Sequence, residues 1–114
     1  MNPADRSSLF KDLVLKSRSY RRFFENQPIN EEVLVEMVDL ARLTPSSRNL
    51  QPLKYLISCE IETNRMIYPH LAWAGYLKDW GGPEEGERPS AYIIILEDKA
   101  IGEGFLTDQG IVAQ

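Results

Sequence analysis

Apolar side chains recur at helical spacing in two clear places. Leu9, Phe10, Leu13 and Val14 share one face of a pattern running to Lys16, and Val33, Leu34, Met37, Leu40 and Ala41 share another. The second pattern predicts a helix from about Glu31 to Leu43. Asn30 stands where a cap belongs, and Glu31 and Glu32 place negative charge in the first turn, where the helix dipole favours it. From Lys54 to Cys59 the period changes to two, with Tyr55, Ile57 and Cys59 alternating against Leu56 and Ser58, as in a strand. Ala91 to Leu96 is nearly all apolar, the pattern of a strand buried on both faces. Met66, Ile67, Leu71, Trp73, Ala74 and Leu77 predict a helix from Thr63 to about Leu77, kinked or delayed by Pro69. Thr107 or Asp108 is placed to cap a last helix of about one turn through Gly110, Val112 and Ala113.

The polar stretches between these elements carry the candidate chemistry. If Ser17 to Phe24 is extended, Ser19, Arg21 and Phe23 point one way and Arg18, Tyr20 and Arg22 the other. Asn26 to Asn30 reads as a turn. Thr44 to Pro52 holds two prolines, two serines, an Asn and a Gln, and no acid. Pro45 stops the helix before it and Pro52 sets the entry to the strand. Such a loop is suited to hydrogen-bonding a polar, planar ligand, and equally to being an ordinary capped turn. Asp79 to Ser90, with three glycines, two prolines and Glu84, Glu85, Glu87 and Arg88, predicts a mobile surface loop.

Composition narrows the classes. A chain of 114 residues is one domain at most, here residues 1–114, and 43% hydrophobic with 26% charged residues suits a soluble fold. A net charge of −4 and a pI near 5.0 argue against a general nucleic-acid binder. One cysteine excludes an internal disulfide and a cysteine-based zinc site. There is no signal-peptide core and no apolar run of membrane-spanning length, so a cytoplasmic setting is expected.

In an acidic chain, Arg18, Arg21 and Arg22 beside Ser17 and Ser19 form a local cationic cluster. It can bind a phosphate through charge-assisted hydrogen bonds, or be a solvated patch pairing with Glu31, Glu32 or Glu36. His70 has no companion at metal-ligand spacing, and Cys59 has no cation nearby, so both read as structural. Trp73, Tyr76 and Trp80 form an aromatic stripe, for packing or for stacking. No nucleophile–base pair, Walker motif, GxGxxG or GxSxG is present.

Three segments, in order, resemble the nitroreductase family of flavin-dependent oxidoreductases. Arg18-Ser19-Tyr20-Arg21-Arg22-Phe23 is similar to its Arg-Ser-x-Arg-x-Phe. Pro45-Ser46-Ser47-Arg48-Asn49-Leu50-Gln51-Pro52 is similar to its Pro-Ser-x-x-Asn-x-Gln-Pro loop. Asp108-Gln109-Gly110-Ile111-Val112-Ala113-Gln114 resembles the opening of its central helix, Asp-x-Gly-x-x-x-Gln. The resemblance implies an α+β, FMN-binding fold with a mixed sheet flanked by helices, and a homodimer with two flavins at the subunit interface. It implies that Arg18 and Ser19 hold the FMN phosphate and that Arg21 reaches the ribityl chain and pyrimidine edge. Pro45, Ser46 and Asn49 would then line the flavin held mainly by the other subunit. The implied reaction is ping-pong: NAD(P)H reduces FMN, then a small nitroaromatic, quinone or similar acceptor takes the electrons. No nucleic acid or membrane partner is implied. Ser17 stands where many relatives carry Arg or Lys. Family members continue well past the Asp108 motif, so the expectation is the N-terminal portion of such a domain. A non-catalytic flavin-binding or dimerising module, and an anion- or nucleic-acid-binding module built on Tyr20 to Phe23, are the alternative readings.

Overall fold

Asn2 starts the first helix: its side chain accepts a hydrogen bond from the Asp5 N–H at 2.9 Å, Pro3 occupies the first helical position, and Asp5 sits in the first turn. In the computed structural model, which describes residues 1–114, α1 therefore runs Pro3–Lys16, six residues earlier than the apolar pattern begins. Helix α2 runs Glu31–Ala41. It starts where predicted, but the Asn30 side chain makes no capping bond, and the helix ends well before Pro45. Residues 42–44 form a turn in which Thr44 Oγ1 donates to the Ala41 carbonyl. Strand β1 (Leu53–Ser58) follows, then α3 (Ile61–Ile67). Pro69 breaks α3 into a single 3₁₀ turn, Tyr68–His70, so the predicted helix to Leu77 is corrected: Trp73, Tyr76 and Trp80 lie on irregular chain. Strand β2 is Tyr92–Glu97 and α4 is Leu106–Ala113. Thr107 and Asp108 sit inside the first turn of α4 rather than at its cap, which is Phe105, and the helix has about two turns rather than one.

The architecture is α+β. The expected mixed sheet is corrected to a two-stranded antiparallel sheet, pairing Leu53 with Glu97 through to Ser58 with Tyr92. With one neighbour, β2 is half-buried and not covered on both faces. Helix α2 packs on β1 and carries the buried Leu34, while Val33, Met37 and Leu40 on the same helix stay exposed. Only five residues are buried. The accessible surface is 9310 Å², against roughly 6400 Å² for a compact protein of this mass, so large apolar faces lack partners.

The 79–90 segment is a surface loop, as expected, and hydrogen bonds tie it to the rest of the chain at several points. Pro83 is fully buried and its carbonyl accepts from the Tyr68 hydroxyl at 2.6 Å. The Glu25 carboxylate accepts from the Gly86 and Arg88 N–H groups, both at 3.0 Å, and the Phe23 N–H donates to the Glu87 carbonyl. Trp73 is the hub beneath it, with ring centroids 6.3 Å from Phe23, 6.1 Å from Tyr68 and 6.4 Å from Trp80. Gly82 lies against this hub at φ +115°, and a Cβ there would come within 2.7 Å of Trp73 Cδ1. Gly82→Ala is expected to destabilise the chain by about 1–3 kcal/mol, measured by urea unfolding. An unchanged midpoint would disprove the close approach.

At the far end of β1, Lys54 Nζ lies 2.8 Å from Asp98 Oδ2. This hydrogen bond first, and the Ala100 N–H second, hold the Asp98 carboxyl below its ordinary 3.8. A depressed carboxyl adds stability above its unfolded value and loses it as pH falls through the folded one. Asp98→Asn is expected to flatten the stability profile below pH 3.8 and leave the profile's shape near neutrality unchanged, as read by unfolding at stepped pH. An acid limb identical to the parent's would rule this contribution out.

Candidate functional site

Past Lys16, Ser17 turns to extended backbone (φ −72°, ψ 106°) and ends α1. The following strip belongs to no sheet, yet the alternation read from the sequence is present from Arg21 onward. Arg21, Phe23 and Glu25 are half-buried, while Tyr20, Arg22 and Phe24 are exposed. Ser19 is exposed, not inward. Phe23 on the Trp73 cluster anchors the strip, and Arg21 stands beside it with its guanidinium 5.3 Å from the centre of the Tyr76 ring.

A broad cleft of about 930 Å³ opens here, lined by Ser19 to Arg22 on one side and Tyr76 to Trp80 on the other. Arg21, Arg22 and Lys78 against Asp79 give it a net positive lining. Arg22 is partly neutralised by Glu87 at 3.5 Å and stacks 5.9 Å from the Trp80 ring. Arg18 forms no ion pair: its one hydrogen bond within the chain goes to the neighbouring Ser17 carbonyl at 3.1 Å. The Arg21 side chain likewise donates only to the Ser19 carbonyl, at 3.3 Å. Guanidinium donors left free in this way can take an oxyanion; of the two, Arg21 lines the cleft and Arg18 precedes its first lining residue, Ser19. The cleft's size is within the range that holds drug- and cofactor-sized ligands. Its far wall, Tyr76 to Trp80, straddles the predicted helix to Leu77 and the predicted loop from Asp79, and is irregular throughout. The three-to-four-residue aromatic spacing was the only available sign of it.

The second motif is built differently. Ser46 Oγ donates to Asp108 Oδ2 at 2.5 Å and accepts from the Gln51 N–H at 3.0 Å, and the Ser47 N–H donates to Asp108 Oδ1 at 3.1 Å. Asp108 is 3% exposed, so a buried carboxylate on α4 ties down a loop about sixty residues earlier. Between these anchors, Arg48, Asn49 and Gln51 have positive φ of 54°, 53° and 50°. Non-glycine residues adopt this conformation only when the surroundings impose it. Asn49 is exposed and its Oδ1 accepts from Gln51 Nε2 at 2.7 Å. Pro45 is exposed, and with Ser46, Gln51 and Asp108 it borders a small cleft of about 100 Å³. Of the predicted residues, the structure groups Ser19 with Arg21 and Pro45 with Ser46, at two separate clefts. No sequence signal marked Asp108 as the loop's anchor.

His70 is exposed on the 3₁₀ turn, Cys59 is a half-buried free thiol, and no group of His, Cys, Asp and Glu is arranged to hold a metal ion. No helix is long and apolar enough to cross a membrane. In comparison with known families, the model described as "Nitroreductase family" matches residues 14–91. That stretch contains the arginine–serine strip, the Pro45 loop, β1 and the 79–90 segment, and stops short of Asp108. Among curated proteins, no match was found.

Proposed function

The chain belongs to the nitroreductase family, a family of flavin-dependent oxidoreductases, and from that premise we propose that it binds FMN and works with NAD(P)H in the cytoplasm. The observation that carries the proposal is the cationic cleft lined by Ser19 and Arg21, with the Arg18 and Arg21 guanidiniums hydrogen-bonded only to neighbouring backbone carbonyls. Arg18 and Ser19 are assigned to the phosphate. Arg21, held in place by Phe23 beside it and Tyr76 beneath it, is assigned to the pyrimidine edge. A fixed cation there stabilises negative charge that develops on the ring system, without reorganising as it does so. When bound, FMN supplies the two-electron chemistry, taking hydride from NAD(P)H and passing electrons to a nitroaromatic, quinone or similar acceptor in ping-pong order.

The Pro45, Ser46 and Asn49 loop is assigned to a flavin held mainly by a second subunit, a reading supported by its separation from the cationic cleft. Ser46 has spent its proton on Asp108 and one lone pair on Gln51, so it can accept one further hydrogen bond and donate none. The proposed assembly is a homodimer. Leu13 on α1 and Met37 and Leu40 on α2 are 60%, 52% and 64% exposed, and a second copy would take such surface out of water. Sedimentation at micromolar concentration is expected to give a dimer; a monomer with flavin bound would exclude it.

The test of the function begins with colour. The chain is loaded with FMN and desalted, its flavin absorbance spectrum is recorded, and oxidation of NADH or NADPH is followed when a quinone is supplied. Loss of all flavin on desalting removes the binding proposal. Retained flavin without pyridine-nucleotide oxidation removes the enzymatic one and leaves a flavin-binding module.

A further inference from the structure

A second cleft, of about 450 Å³, shares no residue with the one assigned to FMN. It lies between the Glu25–Pro28 turn, the start of α3 and the 85–90 segment. Its central feature is Arg88. The guanidinium stacks 4.0 Å from the centre of the Tyr68 ring, and Tyr68 is itself fixed by its hydrogen bond to Pro83. No carboxylate lies within ion-pair distance of Arg88, and its side chain makes no hydrogen bond within the chain. Its Nε is sealed from solvent without a partner. The nearby carboxylate that could have neutralised it, Glu25, instead receives the Gly86 and Arg88 backbone N–H groups on one oxygen. No ligand in the cleft can reach that Nε; the terminal guanidinium nitrogens, not sealed and without a hydrogen bond or ion pair, are the donors left for an anion.

The lining decides what kind of anion that is. Arg65 stands at the rim with one loose contact, 3.5 Å to Glu62. Glu25 and Glu85 border the same cavity, so two cations face two anions and the lining is neutral overall. A dianion such as phosphate would gain Arg88 and meet two carboxylates. A molecule carrying both signs gains on both sides. We propose that this cleft binds a small zwitterion of the amino-acid class, its carboxylate on the Arg88 fork and its ammonium toward Glu25 and Glu85. The planar guanidinium offers paired parallel donors that match a carboxylate. Tyr92, also in the lining, is a hydroxyl donor at neutral pH, and burial pushes its phenol further above the ordinary tyrosine range. The proposal is independent of the flavin reading.

The test uses the full chain and four probes at millimolar concentration: L-leucine, acetate, methylammonium and inorganic phosphate. Binding is followed by NMR at the Arg88 side-chain N–H and the Tyr92 ring. L-leucine is expected to shift both and to bind more tightly than acetate or methylammonium, with phosphate the weakest of the anions. Arg88→Gln is expected to weaken L-leucine by roughly tenfold or more, the scale of a lost charge-assisted pair. Glu85→Gln, at an exposed position, should bring L-leucine down to the level of acetate while leaving acetate unchanged or slightly stronger. The proposal is overturned if L-leucine moves neither resonance in the parent chain, if phosphate binds more tightly than L-leucine, or if Arg88→Gln binds L-leucine as the parent does.

Discussion

Arg18→Ala is expected to weaken FMN binding by about 1.5–3 kcal/mol, the scale of a hydrogen bond to a charged group, or roughly ten- to a hundredfold in dissociation constant. The structure makes this a clean measurement. Arg18 is exposed, joins no ion pair, and its one bond within the chain goes to the adjacent carbonyl. Removing it should therefore leave stability within about 0.5 kcal/mol of the parent, the usual range for surface substitutions, so that a change in binding is not a change in folding. Titration of the variant and the parent by quenching of flavin fluorescence supplies the comparison. Equal affinities would withdraw Arg18 from the phosphate site. A matching experiment with riboflavin, which lacks the phosphate, should show no difference between the two proteins if the assignment is right.

The second large effect is expected at Asp108. Asp108→Ala strands the Ser46 hydroxyl and the Ser47 N–H, which now share one buried carboxylate. Losing hydrogen bonds to a charged acceptor and leaving part-buried donors unpaired costs about 2–3 kcal/mol. The loop these groups hold contains three residues at strained positive φ, Arg48, Asn49 and Gln51, which persist only while the surroundings over-determine them. The variant is therefore expected to lose stability in urea and to lose protection of the Ser47 amide against hydrogen exchange. Asp108→Asn keeps one accepting oxygen and should retain part of both. A loss under 1 kcal/mol for the alanine variant would show that the loop holds its shape without α4.

Local chemistry made much of the fold readable. The period-two run predicted β1 within a residue of its observed ends, the isoleucine-rich run did the same for β2, and the Asn30–Glu31–Glu32 start of α2 was placed correctly. The misses have physical causes. Asn2 and Pro3 start α1 through polar groups, which an apolar-pattern reading overlooks. Pro69 ended α3 where a long apolar pattern suggested continuation. The isoleucines of β2 implied cover on two faces, but strand composition does not state how many neighbours a strand has. At the candidate site, the motif order exposed the cationic strip and the Pro45 loop. The links between Ser46 and Asp108, and between Glu25 and the 86–88 backbone, join residues about sixty positions apart, and no local pattern encodes them.

The Trp73 hub has an optical consequence. The chain has two tryptophans, and both sit in that one cluster, 6.4 Å apart. Its entire indole emission therefore originates beside the arginine strip and the 79–90 segment, while β1, β2 and α4 contain no tryptophan and are dark at those wavelengths. Emission during unfolding reports one side of the molecule, and the far-ultraviolet signal, dominated by the helices, reports the rest. If the two traces share a midpoint, the parts melt as a single cooperative unit; if emission changes first, the cleft wall opens before the scaffold that carries it.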